Sequence, residues 1–157
     1  MEWVRVYGLQ PSGRAGRFRK LPHITWRTCV DLMCHAAPLP ADRRALRSYT
    51  RRQHPLEEIR TAPNDLCLRL ASSLGRQLSR TPNAEWFFGK HDGLYWRNAQ
   101  GEFVISGSPV PGFVQGCSLS RSELRDWITF LLCCGGFVAH GRAVDPRRHY
   151  TRAEAQW

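Results

Sequence analysis

The sequence predicts an α+β fold in which a small antiparallel sheet packs on helices. Three observations lead there. Apolar residues recur at helical spacing over 64–80 and again over 119–135. Between them, residues 84–116 change to short aromatic and β-branched runs separated by Gly, Pro and Asn, the grammar of strands and turns. The chain has 157 residues, a length that suits one domain able to bury a core without metals or disulfides.

Taken in order, "EWVRVYG" alternates like a strand, whereas "PSGRAGRFRK" places Pro, Gly and basic residues together, so residues 1–20 are expected to be a basic, partly disordered segment. A single domain is expected over 21–140. In "ITWRTCVDLMCHA", Trp26, Cys29, Val30 and Met33 share one helical stripe. "APLPADRRALRSYTRRQHPLEEIR" then carries Arg43, Arg44, Arg47, Arg51 and Arg52, either on one basic helical face or in a surface loop. "PNDLCLRLASSLGRQLSR" offers Asn64 as an N-cap and Leu66, Leu70, Leu74 and Leu78 at intervals of four, which is an amphipathic helix. Strands are expected in "AEWFFG", "GLYWRN", "GEFVIS" and "PGFVQG". Asn98 to Gly101 reads as the hairpin turn between Leu94–Trp96 and Phe103–Ile105. At 119–135, Ser120 and Glu123 have the spacing of a capping box, and Leu119 and Leu124 that of a hydrophobic staple. Leu124, Trp127, Ile128, Leu131 and Leu132 form the apolar face, and Gly135 stops the helix. Residues 141–157 read as a loose basic tail.

The formal charge is +10, and 21 of the 23 basic residues are arginine. Arginine forks onto phosphates, so nucleic acid and anionic membrane surfaces are natural partners; a solvated basic surface is the plainer alternative. For RNA the candidate residues are Arg14, Arg17, Arg19, Lys20, Arg43, Arg44, Arg47, Arg51 and Arg52. Tyr95 and Trp96, next to Arg97, could stack on bases, but their alternation puts at least one of them in the core. The six cysteines come without a signal-peptide pattern and half of them lie in apolar helical stretches, so reduced thiols are expected. "CVDLMCH" and "CCGGFVAH" both lack a second half with metal-ligand spacing, and neither a metal nor a cofactor is expected. The apolar run from Trp127 to Ala139 is shorter than the roughly 20 residues of a spanning helix and is broken by two glycines, so it could touch a membrane without crossing one.

His91 precedes "GLYW", and Cys117 stands just before the capped helix. A helix N-terminus and a nearby imidazole both favour a thiolate, so the two residues are candidates for a thiol–imidazole pair. Spacing alone favours the plainer reading, since a cysteine near a cap is more often a small buried side chain and a histidine at a strand start more often a polar surface residue.

A histidine opening a strand as His-x-x-x-Tyr, then a hairpin, then a small residue and Cys stepping into a helix some 25 residues later, resembles the H-box/NC arrangement. That arrangement is shared by the lecithin retinol acyltransferase group, the H-rev-type phospholipase/acyltransferases and the 2A proteins of picornaviruses such as parechoviruses and kobuviruses. The resemblance covers about residues 84–140. The apolar segment after Cys117 and the Arg/Pro-rich composition are similar to those of the viral members. It implies a permuted papain-like (NlpC-type) fold, with His91 as the H-box histidine and Cys117 as the NC cysteine. Gly116 stands where the family has asparagine, and Phe103 where the cellular enzymes have a second histidine, so the imidazole lacks a partner to orient it.

The function implied is that of a viral non-structural protein acting in RNA genome replication and on host factors, without protease activity. A thiol acyltransferase or phospholipase using Cys117 and His91 is the alternative. The implied partners are RNA and host proteins, with peripheral membrane contact and self-association as further options, and the implied location is the host cytoplasm at membrane-associated replication sites.

Overall fold

The computed structural model describes residues 3–47, 60–90, 93–107 and 118–140. Along the chain run β1 (Trp3–Gly8), a 3-10 turn at Arg14–Gly16, β2 (Phe18–Pro22), α1 (His23–Ala36), α2 (Pro40–Arg47), β3 (Arg60–Ala62), α3 (Asn64–Arg80), β4 (Ala84–Lys90), β5 (Gly93–Asn98), β6 (Phe103–Gly107), β7 (Leu119–Ser120), α4 (Arg121–Cys133) and β8 (Phe137–His140). The class is α+β. One antiparallel sheet was expected within 84–140, but the described residues form two four-stranded sheets, ordered β2-β1-β8-β3 and β6-β5-β4-β7. Helix α1 touches both of them and also packs on α2 and α3, while α3 packs on α4.

The second sheet follows local grammar. β4 pairs with β5 from Ala84↔Asn98 to Lys90↔Gly93, and β5 pairs with β6 from Gly93↔Gly107 to Arg97↔Phe103. Its tight turn is closed by Asn98, whose Oδ1 accepts from the Glu102 N–H at 2.8 Å. "PGFVQG" lies outside the described residues.

Helix α4 begins with the capping box: Glu123 N–H donates to Ser120 Oγ at 3.1 Å, and Ser120 N–H donates to Glu123 Oε2 at 2.8 Å. Leu124, Trp127, Phe130 and Leu131 are buried, Ile128 is half-buried, and Leu132 is 53 % exposed. Leu132 was expected inside. Phe130 stacks on Trp127 at 5.1 Å, and both meet Phe137, which rotates the buried face away from Leu132. Trp26 of α1 closes this cluster edge-on to Trp127 at 6.0 Å. In α3 the stripe of Leu66, Leu70 and Leu74 is buried, with Leu78 packed against it. Asn64 does not cap α3. Pairing of Ala62 with Phe137 carries the strand up to the helix, Pro63 takes the extended cap position, and Asn64 is already helical.

The N-terminal residues depart most from expectation. In place of a partly disordered segment, residues 3–22 form two paired strands and a tight loop, and β1 pairs with both β2 and β8. The loop is held by the end of α4. Ser12 N–H donates to Cys133 O at 2.9 Å, Gln10 N–H to Cys134 O at 3.0 Å and Leu9 N–H to Gly136 O at 2.8 Å. The last carbonyls of a helix have no partner within it, and here the loop supplies their donors. Gly16 is buried where a Cβ would collide with the Cys133 carbonyl. Beyond the helix, Gly135 and Gly136 take positive φ values of 67° and 93°, which turn the chain directly into β8. All four residues of β8 are buried, so most of the large side chains of the apolar run 127–139 enter the core while Leu132 stays exposed, and among the described residues no helix is long and apolar enough to cross a membrane. The last strand of the 84–140 stretch, β8, thus belongs to the sheet built on β1.

Two outcomes check this packing. Trp127→Ala is expected to cost about 3–5 kcal/mol in a denaturant titration. Gly16→Ala is expected to cost about 1–3 kcal/mol through the clash at Cys133, while Gly13→Ala, where nothing lies within 4 Å of an added Cβ, leaves the melting temperature nearly unchanged.

Candidate nucleic-acid interface

The alternation of β1 sets up a surface. Val4, Val6 and Gly8 are buried, and Trp3, Arg5 and Tyr7 point to the other face, where they are half-buried. The antiparallel register puts Tyr7 opposite Phe18 and Arg5 opposite Lys20, and directly opposed side chains project from the same face. Phe18 is 43 % exposed and lies 5.0 Å from the Tyr7 ring. On the other side Tyr7 stacks on His140 of β8 at 5.5 Å. Burial pushes the Tyr7 phenol above its usual range against the pull of Arg5. Arg5 and Lys20 are like charges directly across the strands, an arrangement that costs stability unless the charge is taken up. Lys20 Nζ sits 4.6 Å from the centroid of the Trp3 ring, which offsets part of that cost. The result is a row of aromatic rings beside two cations on an edge of the sheet, able to stack planar bases and pair with an anion between the cations.

The other basic candidates are scattered. Arg14 and Arg17 are exposed around the 3-10 turn that leads into β2. Arg19 points to the opposite face of β2 from Lys20 and donates from Nη2 to Asp126 O at 3.1 Å, so it belongs to the packing against α4. Arg43 and Arg44 are exposed on α2; Arg43 Nε donates to Ala37 O at 2.9 Å, at the C-terminal end of α1. Arg47 closes α2 and its side chain lies outside the described residues, as do Arg51 and Arg52. Further arginines act within the fold. Arg121 donates to the carbonyls of Leu78, Thr81 and Ala84, tying the end of α3 to the start of α4. Arg69 holds Asp42 in a two-point fork at 2.9 and 3.0 Å. Trp96 packs against the core, and the side chain of Tyr95 lies outside the described residues.

His91 and Cys117 both lie outside the described residues. Their described neighbours share one end of β4. β4 and β5 pair as far as Lys90↔Gly93, and β7, which pairs through Phe87↔Leu119, runs antiparallel to β4, so its first residue lies toward that same end. Three other cysteines serve packing. Burial, with Glu123 nearby, pushes the Cys29 thiol far up. The hydrogen bond from Cys67 to the Cys134 sulfur, together with burial, keeps the Cys67 thiol protonated, and Cys134 donates onward to Leu131 O at 3.5 Å. Among the described residues no three His, Cys, Asp or Glu side chains come together as metal ligands.

A cavity of about 210 Å³ lies between β2, α1, β7 and α4, lined by Arg19, Lys20, Leu21, Pro22, Thr25, Cys29, Leu119, Glu123, Asp126 and Trp127. Two of its lining residues carry a buried N–H with no acceptor among the protein atoms, Nε of Arg19 and Nε1 of Trp127. Each such donor costs about 1–3 kcal/mol when left unmet.

Trp3, Arg5, Tyr7 and Phe18 were absent from the sequence-based candidates. "WVRVYG" and "RFRK" each show the alternation, but which faces coincide depends on the β1–β2 register, which no local signal carries. No family model, curated protein or solved structure matches the chain.

Proposed function

We propose that this chain is a non-enzymatic RNA-binding protein of the viral H-box/NC type, acting in RNA genome replication and on host proteins in the host cytoplasm, at membrane-associated replication sites. The observation that carries RNA binding is the aromatic and basic face of β1 and β2. Exposed Phe18 beside Tyr7 offers a stacking platform, and the opposed Arg5 and Lys20 offer a phosphate site. Such a platform tolerates any base, since every base has a π-face. For the H-box/NC reading, which carries a permuted papain-like (NlpC-type) fold with it, the support is narrower. Hairpin, short paired strand and capped helix follow one another in the required order, and the described residues flanking His91 and Cys117 lie toward the same end of β4. A thiol acyltransferase or phospholipase is the second reading, and that same placement favours it.

Fluorescence anisotropy with a labelled single-stranded RNA of about 12 nucleotides tests the first reading. Binding is expected to fall steeply as salt rises, since counterions released from phosphates drive it. Phe18→Ala is expected to weaken it by the loss of one stacked base, about 1–3 kcal/mol, and Lys20→Ala to reduce the salt slope. Affinity independent of salt, or unchanged in Phe18→Ala, would overturn the assignment of this face.

Iodoacetamide labelling separates the two readings. Cys29, Cys67 and Cys134 are shielded by burial, so mass mapping of the peptide carrying Cys117 suffices. The expected result is the pH profile of an ordinary thiol, slow at pH 6 and unaffected by His91→Ala. Fast labelling at pH 6 that disappears in His91→Ala would establish an activated pair and the enzymatic reading.

A further inference from the structure

We propose that Cys67 and Cys134 are an oxidisable dithiol site, at which hydrogen peroxide closes a disulfide that locks the start of α3 to the end of α4, independently of the RNA face. The two residues are far apart in sequence and meet where α3 packs on α4: Cys67 lies in the first turns of α3, and Cys134 is the residue that ends α4. Both are free thiols and fully buried. Their sulfurs are in direct contact, because the Cys67 S–H donates to the Cys134 sulfur and the Gly136 N–H donates to both.

Polar groups converge on these sulfurs in a way that apolar packing does not require. The hydrogen bond from Cys67 holds the Cys134 thiol below its ordinary range against burial, and the N–H groups of Gly136 and of Cys134 itself act in the same direction. A thiolate is the reacting form, so Cys134 is the attacking sulfur. It takes one oxygen of the peroxide, the O–O bond breaks, and hydroxide leaves as water with the thiol proton, giving a sulfenic acid at Cys134. The Cys67 sulfur then attacks the Cys134 sulfur, the S–O bond breaks, and a second water leaves with the Cys67 proton. Two electrons pass from the thiols to one peroxide. The Cys134 carbonyl accepts from the Gln10 N–H, so the bond clamps the helix end that already holds the N-terminal loop.

The test is to treat the reduced, folded chain with a small excess of hydrogen peroxide, block remaining thiols with N-ethylmaleimide in denaturant, and map peptides without reduction. Cys34 and Cys133 are less buried, so oxidation governed by exposure alone would reach them first. The expected result is a Cys67–Cys134 cross-link as the major product, reversed by dithiothreitol, with the oxidised chain melting about 5 °C or more above the reduced one. In Cys67→Ala the Cys134 sulfenic acid is expected to accumulate and be trapped by dimedone. The cross-link mapping uses the unaltered chain, so it decides the matter even if that variant does not fold. Recovery of Cys67 and Cys134 as blocked thiols, a different major pairing, or an oxidised chain that melts no higher than the reduced one overturns the proposal.

Discussion

The last carbonyls of α4 must find donors outside the helix, and they find them in the loop from Leu9 to Ser12. Much of the architecture hangs on that exchange. It brings β1 alongside the helix end, the Gly135–Gly136 turn then reverses the chain, and β8 enters the sheet between β1 and β3. Without β8, the pair β1–β2 and the three residues of β3 would have no common partner. A two-stranded ribbon is marginal in water on its own, so the central strand makes the N-terminal sheet stable. Phe137, the first residue of β8, in turn closes the aromatic cluster of Trp26, Trp127 and Phe130. Helix capping, sheet pairing and core packing are thus one cooperative unit, and the surface formed by Trp3, Arg5, Tyr7, Phe18 and Lys20 exists only while that unit holds.

What could be read in the sequence is what is decided within a few residues of itself. The stripes of α1 and α3, the Asn98–Gly101 turn and the Ser120–Glu123 capping box all have their partners within one or two turns of chain, and all appear as expected. The misreadings share the opposite property. "PSGRAGRFRK" looks loose because its small residues have no local use; Gly16 is required only by a carbonyl 117 positions further along. Leu132 was placed in the core because nothing within α4 reveals that Phe137 draws Phe130 inward. Asn64 was given a capping role that the strand pairing of Ala62 removes. For His91 and Cys117, the order of elements was legible and is present in the fold, while their side chains lie outside the described residues.

Arginine abundance does not translate directly into an RNA surface. Arg19, Arg69 and Arg121 make hydrogen bonds within the fold, to Asp126 O, Asp42 and three carbonyls at the end of α3. Guanidinium groups suit that work because five fixed donors can satisfy several carbonyls at once. The proposed RNA face rests instead on the juxtaposition of charge with the exposed Phe18 ring, a property of register. Arg5 opposite Lys20 is unfavourable for folding alone, and an unfavourable pair kept beside a row of aromatic side chains fits a surface shaped for an anionic, base-bearing ligand.

Amide hydrogen exchange at Gln10 and Ser12 addresses the unifying contact most directly. Both residues lie in a stretch whose composition suggests free exchange with solvent, whereas their N–H groups donate to the end of α4. Protection at these two amides comparable to that of Val138 and Ala139 in β8, lost together with it under mild denaturant, is the result expected of one cooperative unit. Exchange at the rate of an unstructured peptide at Gln10 and Ser12, with β8 still protected, would contradict it.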